Sequence, residues 1–196
     1  MQITAGRNTA AALRFSIDRL GVVIALILIL SLIVQPFALL RPNRVAATAP
    51  VQLVDALPFT QAVFLMGLIL ITVALLVVRS PLRLRLSALI ATLIAVAIAI
   101  GLSADYLTPA GNNYARVSPG GTVWLITFAL ALAIGDTLVR MRLAPLSRLA
   151  ALFIFVALLG LFLCSGVWRD VSILKAYASR LDAFARALRT HALLAI

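Results

Sequence analysis

Five apolar runs near the length of a membrane span constrain this chain more than any other feature. A bilayer crossing needs about 20 mostly apolar residues. The runs are Gly21–Leu40, Phe59–Val78, Leu86–Leu102, Gly121–Val139 and Leu149–Val167. Each should be a helix, because a backbone exposed to lipid must satisfy its own hydrogen bonds. The residues are 64% apolar and 12% charged. Soluble domains carry about 45–50% apolar residues, so one water-facing globule cannot hide this surface. The fold class expected is an all-α membrane protein of five transmembrane helices plus a C-terminal amphipathic interfacial helix. Its parts would be an N-terminal segment at 1–20, the transmembrane domain at 21–167, the amphipathic helix at 168–190 and the start of a further span at 191–196.

The connections carry turn chemistry: Pro42-Asn43, Pro50, Pro58, Ser80-Pro81, a Gly/Pro/Asn-rich stretch before the fourth run, and Pro145. Gln35-Pro36 is expected to end the first helix. That run is too long for the core of a cleaved signal peptide, and more spans follow it. Orientation follows from Lys and Arg in short loops. Arg7, Arg14, Arg19, Arg79, Arg83, Arg85, Arg140, Arg142 and Arg148 fall on one side, and Arg41, Arg44 and Arg116 on the other, nine against three. The N-terminus is therefore expected in the cytoplasm of a bacterial inner membrane, and an odd number of spans puts the tail in the periplasm. Tyr106, Tyr114, Trp124 and Trp168 all fall near that outer interface, as an aromatic belt would.

Catalytic signals are weak. The formal charge of +11 sits in loops between spans, so it sets orientation and does not suggest nucleic acid. Cys164 is the one cysteine, which excludes an internal disulfide and any zinc spacing. No Gly-rich phosphate loop is present, and neither an enzyme nor a cofactor is expected. Asp136 is the one acid inside an expected span, a position that by default suggests function. It lies four residues before Arg140, so a helix-end ion pair accounts for it. The outer aromatics could cage a quaternary ammonium by cation–π contact, but interfacial belts are the commoner reason for them.

In the tail, Asp170 could cap a helix. Leu174, Tyr177, Leu181, Phe184 and Leu188 recur at spacings of three and four and share one face. Lys175, Arg180, Arg186 and Arg189 supply a basic surface for lipid head groups or an acidic partner. Such a helix either lies flat in the interface or is a surface helix that follows the last span.

Three segments carry a resemblance: P-F-A-L-L-R-P-N-R-V, Y-A-R-V-S-P-G-G-T-V-W-L and D-V-S-I-L-K-A-Y-A-S-R-L-D-A-F-A-R-A-L-R-T-H. The chain resembles the N-terminal membrane region of permease subunits of osmoprotectant (glycine betaine/choline-type) ABC importers. Asp170, Ser172, Lys175, Tyr177, Ala178, Arg180, Phe184, Ala187, Leu188 and His191 match the pattern that leads into that family's permease core. The resemblance implies a scaffold that braces or regulates the translocation core. It also implies an ABC ATPase reached through that core and a periplasmic substrate-binding protein as partners, with the lipid bilayer as solvent. The core should begin near His191, and this sequence ends at Ile196. The rival expectations are a stand-alone membrane anchor or sensory scaffold, and an intramembrane enzyme using Asp136.

Overall fold

A computed structural model describes residues 17–43, 46–108, 114–178, 187, 190 and 191, without the side chains of 145, 148, 151, 152, 155, 158, 159, 176 and 178. In chain order the elements are α1 (Arg19–Val34), β1 (Ala38–Arg41), β2 (Ala49–Val51), the single turn α2 (Leu53–Ala56), α3 (Phe59–Val77), α4 (Leu82–Leu107), β3 (Arg116–Pro119), α5 (Gly121–Arg140), α6 (Pro145–Cys164) and α7 (Ser172–Ala178).

Four helices form a closed ring: α1 packs on α3, α3 on α4, α4 on α5, and α5 back on α1. The seam recurs every three or four residues. On α3 it is Ala62, Leu65, Ile69, Thr72 and Leu76, and on α4 Arg85, Leu89, Thr92, Val96 and Ala99. On α5 it is Ile126, Leu130, Ala133 and Thr137. An average near 3.5 residues is the spacing of left-handed bundle packing. The outward residues are apolar too, with Phe64, Ile71, Phe128 and Leu132 all exposed. What separates the faces is size and polarity: the seam holds Ala and Thr, which let helices approach and hydrogen-bond, as in membrane helix pairs. Thr72 on α3 and Thr92 on α4 meet mid-bundle at 2.7 Å.

Two expectations need correction. The protein is not all-α: a three-stranded antiparallel sheet, ordered β2-β1-β3, closes one end of the bundle. Residues 38–40 fall at the end of the expected first span, Gly21–Leu40, and Arg41 in the loop after it. Gln35 turns extended and Pro36 cannot continue the ladder, so the chain leaves the helix at Val34 and pairs as β1. Being central, β1 is hydrogen-bonded on both edges.

Among the described residues, three helices are long and apolar enough to cross a membrane: α3, α4 and α5. With 16 residues, α1 is a shorter apolar helix. Its length is ~24 Å against a hydrocarbon core of about 30 Å. The 20-residue α6 exposes Phe153, Ile154, Val156 and Leu161.

Candidate functional site

Polar chemistry gathers at the two ends of the bundle. At one end, Asp18 precedes α1, Arg85 lies in the first turn of α4, and Asp136 and Arg140 lie in the last turns of α5. Arg85 Nη1 donates to Asp18 Oδ2 at 2.7 Å, and Nη2 to Asp136 Oδ2 at 3.2 Å. Arg140 closes the square, with Nη1 2.8 Å from Asp18 Oδ2 and Nε 2.9 Å from Asp136 Oδ2. The Asp18 amide also donates to the Val77 carbonyl at 3.1 Å, which joins the α1 start to the α3 end. Burial works to raise the Asp18 carboxyl, but hydrogen bonds from Arg85 and Arg140 outweigh it and hold it at about 2. The four charges sum to zero, and an arginine has no proton to give, so the arrangement suits clamping helix ends.

The Asp136–Arg140 pair expected from sequence is present, but it is half of the square. Sequence reasoning missed Asp18 and counted Arg85 as a loop charge, whereas Arg85 is a helix residue only 2% exposed. The signal for Arg85 was its place in L-R-L-R-L, where a helix buries one arginine and leaves the other outside: Arg83 is exposed.

At the opposite end, all three segments that carry the family resemblance meet. In β1 and β3, Ala38 faces Pro119, Leu39 faces Ser118, Leu40 faces Val117, and Arg41 faces Arg116. The Gly120 amide donates to the Phe37 carbonyl at 2.8 Å, and the Phe37 amide to Val51 at 2.9 Å. The last carbonyls of a helix lack intrahelical partners. Here Thr122, at the start of α5, shares its hydroxyl proton between the Gln35 carbonyl just past the end of α1 and the Ser31 carbonyl, which also accepts from the Gln35 amide. Gly120 is required at this approach, since a Cβ there would collide with the Pro36 carbonyl.

The third segment docks onto the sheet. Val171 forms a parallel bridge with Val117, and the Ser118 and Ser172 hydroxyls meet at 2.8 Å. Just before it, the chain crosses α4 at Gly101, where any Cβ would strike the Val167 carbonyl. Trp168 fixes that crossing: its Nε1 donates to the Ala97 carbonyl at 2.7 Å and its ring meets Phe162 edge-on at 5.1 Å. Tyr106, Tyr114 and Trp124 are all exposed at this end. The helix α7 begins at Ser172, so Asp170 stands one residue too early to cap it and faces Lys175 Nζ at 3.5 Å instead.

Of the expected tail residues, Leu174 and Lys175 are half-buried and Tyr177 is exposed. Arg180, Leu181, Phe184, Arg186, Leu188 and Arg189 lie outside the described residues. A groove of about 400 Å³ between α3 and α4, lined by residues such as Phe64, Leu65, Ala95 and Ile98, holds no titratable side chain. Among the described residues, no group of three His, Cys, Asp or Glu side chains comes together to hold a metal.

A family model described as the N-terminal domain of the ABC transporter permease YehY matches residues 18–174. The match opens on Asp18 of the charge square and closes on Leu174 of α7, so it includes both ends of the bundle. Comparison with curated proteins and with solved structures gives no match. The family is one of membrane transport domains and not of catalysts. With most of its length inside the match, the chain belongs to the family of ABC transporter permease YehY N-terminal domains.

Proposed function

We propose that this domain is a membrane scaffold that braces the translocation core of an ABC importer for quaternary ammonium compatible solutes. The observation that carries the reading is the docking of the outgoing chain. Gly101, Trp168, the Val117–Val171 bridge and the Ser118–Ser172 hydrogen bond tie it to α4 and β3. Whatever follows α7 thus leaves from a fixed point on a packed bundle. In this reading five helices cross the inner membrane, with α1 and α6 joining α3, α4 and α5. The charge-square end is cytoplasmic, because the exposed Arg19, Arg79, Arg83 and Arg142 cluster there. The sheet and the tail then face the periplasm, with the basic tail residues toward lipid head groups. Substrate selection belongs to a periplasmic binding protein, and energy to an ABC ATPase that reaches the domain through the core. The solute class rests on the resemblance of the sheet and tail segments to osmoprotectant permeases.

The test uses the full permease with its ATPase and binding protein in vesicles, and measures uptake of glycine betaine. Gly101→Leu should cut uptake by about tenfold, by displacing Val167 and loosening the tail, while solute affinity of the isolated binding protein stays unchanged. Undiminished uptake would remove the bracing role. Transport of another solute class, with the same loss in the variant, would keep the brace and overturn the solute. A chain that assembles with no transport partner would favour the stand-alone anchor.

A further inference from the structure

The sheet end presents a feature that the scaffold reading does not use. Arg41 and Arg116 are direct cross-strand partners in the antiparallel β1–β3 pair. Directly opposed residues project from the same face, and like charges placed so are destabilising. Their face alternates with the one that holds Ala38 and Val117, which are fully buried against the bundle. It is therefore the sheet face turned away from the four-helix ring, on the side where Ser118 meets Ser172 at the start of α7.

Among the described residues, no carboxylate lies within ion-pair distance of either guanidinium. Arg41 Nη2 donates to Thr48 Oγ1 at 3.0 Å. Arg116 Nη1 is buried and has no hydrogen-bond partner, a state that few native polar atoms occupy. An oxyanion between the two forks would meet both needs at once: it would neutralise the opposed charges and accept from the orphaned N–H.

The depth of the pair identifies the anion. The exposed aromatics Tyr106, Tyr114 and Trp124 surround this end, and such residues mark head-group level in a membrane protein. The commonest oxyanion at that level is the phosphate of a phospholipid, whose two non-bridging oxygens suit bidentate arginine donors. We propose that Arg41 and Arg116 form a phosphate-binding site for one phospholipid head group at the sheet end of the bundle. The proposal needs the membrane assignment but not the transport reading, so lipid retention and uptake can fail separately.

Native mass spectrometry of the detergent-purified chain, with phosphatidylglycerol added, tests it. The native protein should retain one phospholipid. Arg41→Gln with Arg116→Gln should weaken retention at least about tenfold, and Arg79→Gln, at the other end, should not. Arg116→Gln alone should lose more than Arg41→Gln, because Arg41 already has Thr48. If the double variant fails to fold, the unaltered protein decides: phosphatidylglycerol should be retained where diacylglycerol, which lacks the phosphate, is not. Equal retention of the two lipids, or unchanged retention in the double variant, overturns the site. Stabilisation by inorganic phosphate with no lipid retained would reassign it to free phosphate and overturn the head-group source.

Discussion

The two ends of the bundle solve the same problem in different ways. Both must tie together helix ends that are distant in sequence, at a membrane boundary. The charge-square end does it with two aspartates and two arginines that satisfy one another, Asp18 reaching Arg140 across 122 positions. The sheet end does it with backbone hydrogen bonds and the Thr122 hydroxyl, and leaves two arginines face to face. Helix dipoles sharpen the contrast. Asp18 at the start of α1 and Arg140 at the end of α5 sit where the dipole favours them. Arg85 at the start of α4 and Asp136 near the end of α5 sit where it does not, and they depend on the square for their stability. A closed square of charges fails as a unit, whereas a sheet of backbone bonds can fail locally.

The hardest test of that contrast is Arg85→Met, which keeps most of the volume and removes the most buried member. Asp18 and Asp136 would then share Arg140 alone, leaving a surplus buried negative charge. Loss of one partner from a buried ion pair costs about 3–5 kcal/mol. Thermal unfolding in detergent micelles should show a loss of that size, and adding Asp18→Asn should restore part of it. A variant as stable as the native chain would mean the square clamps nothing.

Acid should reach the same square more gently. The Asp18 carboxyl is held at about 2 against an ordinary 3.8. Between those values the unfolded chain binds the proton more readily than the folded one. The contribution is complete above about pH 4 and is lost as pH falls through 2, and it amounts to about 2 kcal/mol. Denaturant midpoints followed from pH 5 downward should decline in this window, and Asp18→Asn should flatten the decline. The backbone hydrogen bonds that join β1, β2 and β3 carry no titratable group, so their exchange protection should hold over the same range until the bundle itself opens.

Gly120→Val attacks the other end. Its side chain would collide with the Pro36 backbone, and overpacking of this kind costs about 1–3 kcal/mol. Hydrogen exchange should speed up at the amides of Phe37 and Gly120 while helix amides near Arg85 stay protected. Gly67→Ala is the control: on α3 nothing lies within 4 Å of an added Cβ, so no loss is expected. Protection lost equally at both ends after Gly120→Val would erase the distinction between local and unitary failure.

Much of the helical frame is legible in the residues, and the reasons it stops being legible are physical. The expected start of α3 at Phe59 and of α5 at Gly121 agree with the structure, because Pro58 and the Pro-Gly-Gly stretch punctuate them. Which face packs is not legible from hydropathy, since lipid accepts apolar side chains on every other face as readily as the seam does. The Ala and Thr residues of the seam were the available signal. The strands were hidden because A-L-L reads as the end of a span, and both Arg41 and R-V-S-P read as loop. Each becomes a strand only when the other lies beside it, some 78 positions away, a distance no local pattern measures. Likewise Asp136 revealed its neighbour Arg140 at helical spacing, but Asp18 and Arg85 reach it only through the ring closure of four helices.

The smallest expected effect lies between the ends, at the Thr72–Thr92 contact. Thr92 Oγ1 donates to the Ala88 carbonyl one turn back at 2.8 Å. A hydroxyl has one proton, so Thr72 is the donor of the bond between the helices. If Thr92→Val removes the acceptor, Thr72 can turn its proton to a carbonyl of its own helix, as threonines in helices do. If Thr72→Val removes the donor, Thr92 keeps its bond to Ala88. Neither change strands a polar group in the seam, and a double-mutant cycle should return a coupling near 0.6 kcal/mol, the average for such pairs in membrane helices. The square has no such fallback, because no helix carbonyl can take the place of a carboxylate beside Arg85. A coupling above about 2 kcal/mol for the threonines would mean that the middle of the bundle, and not its ends, fixes how the four helices sit.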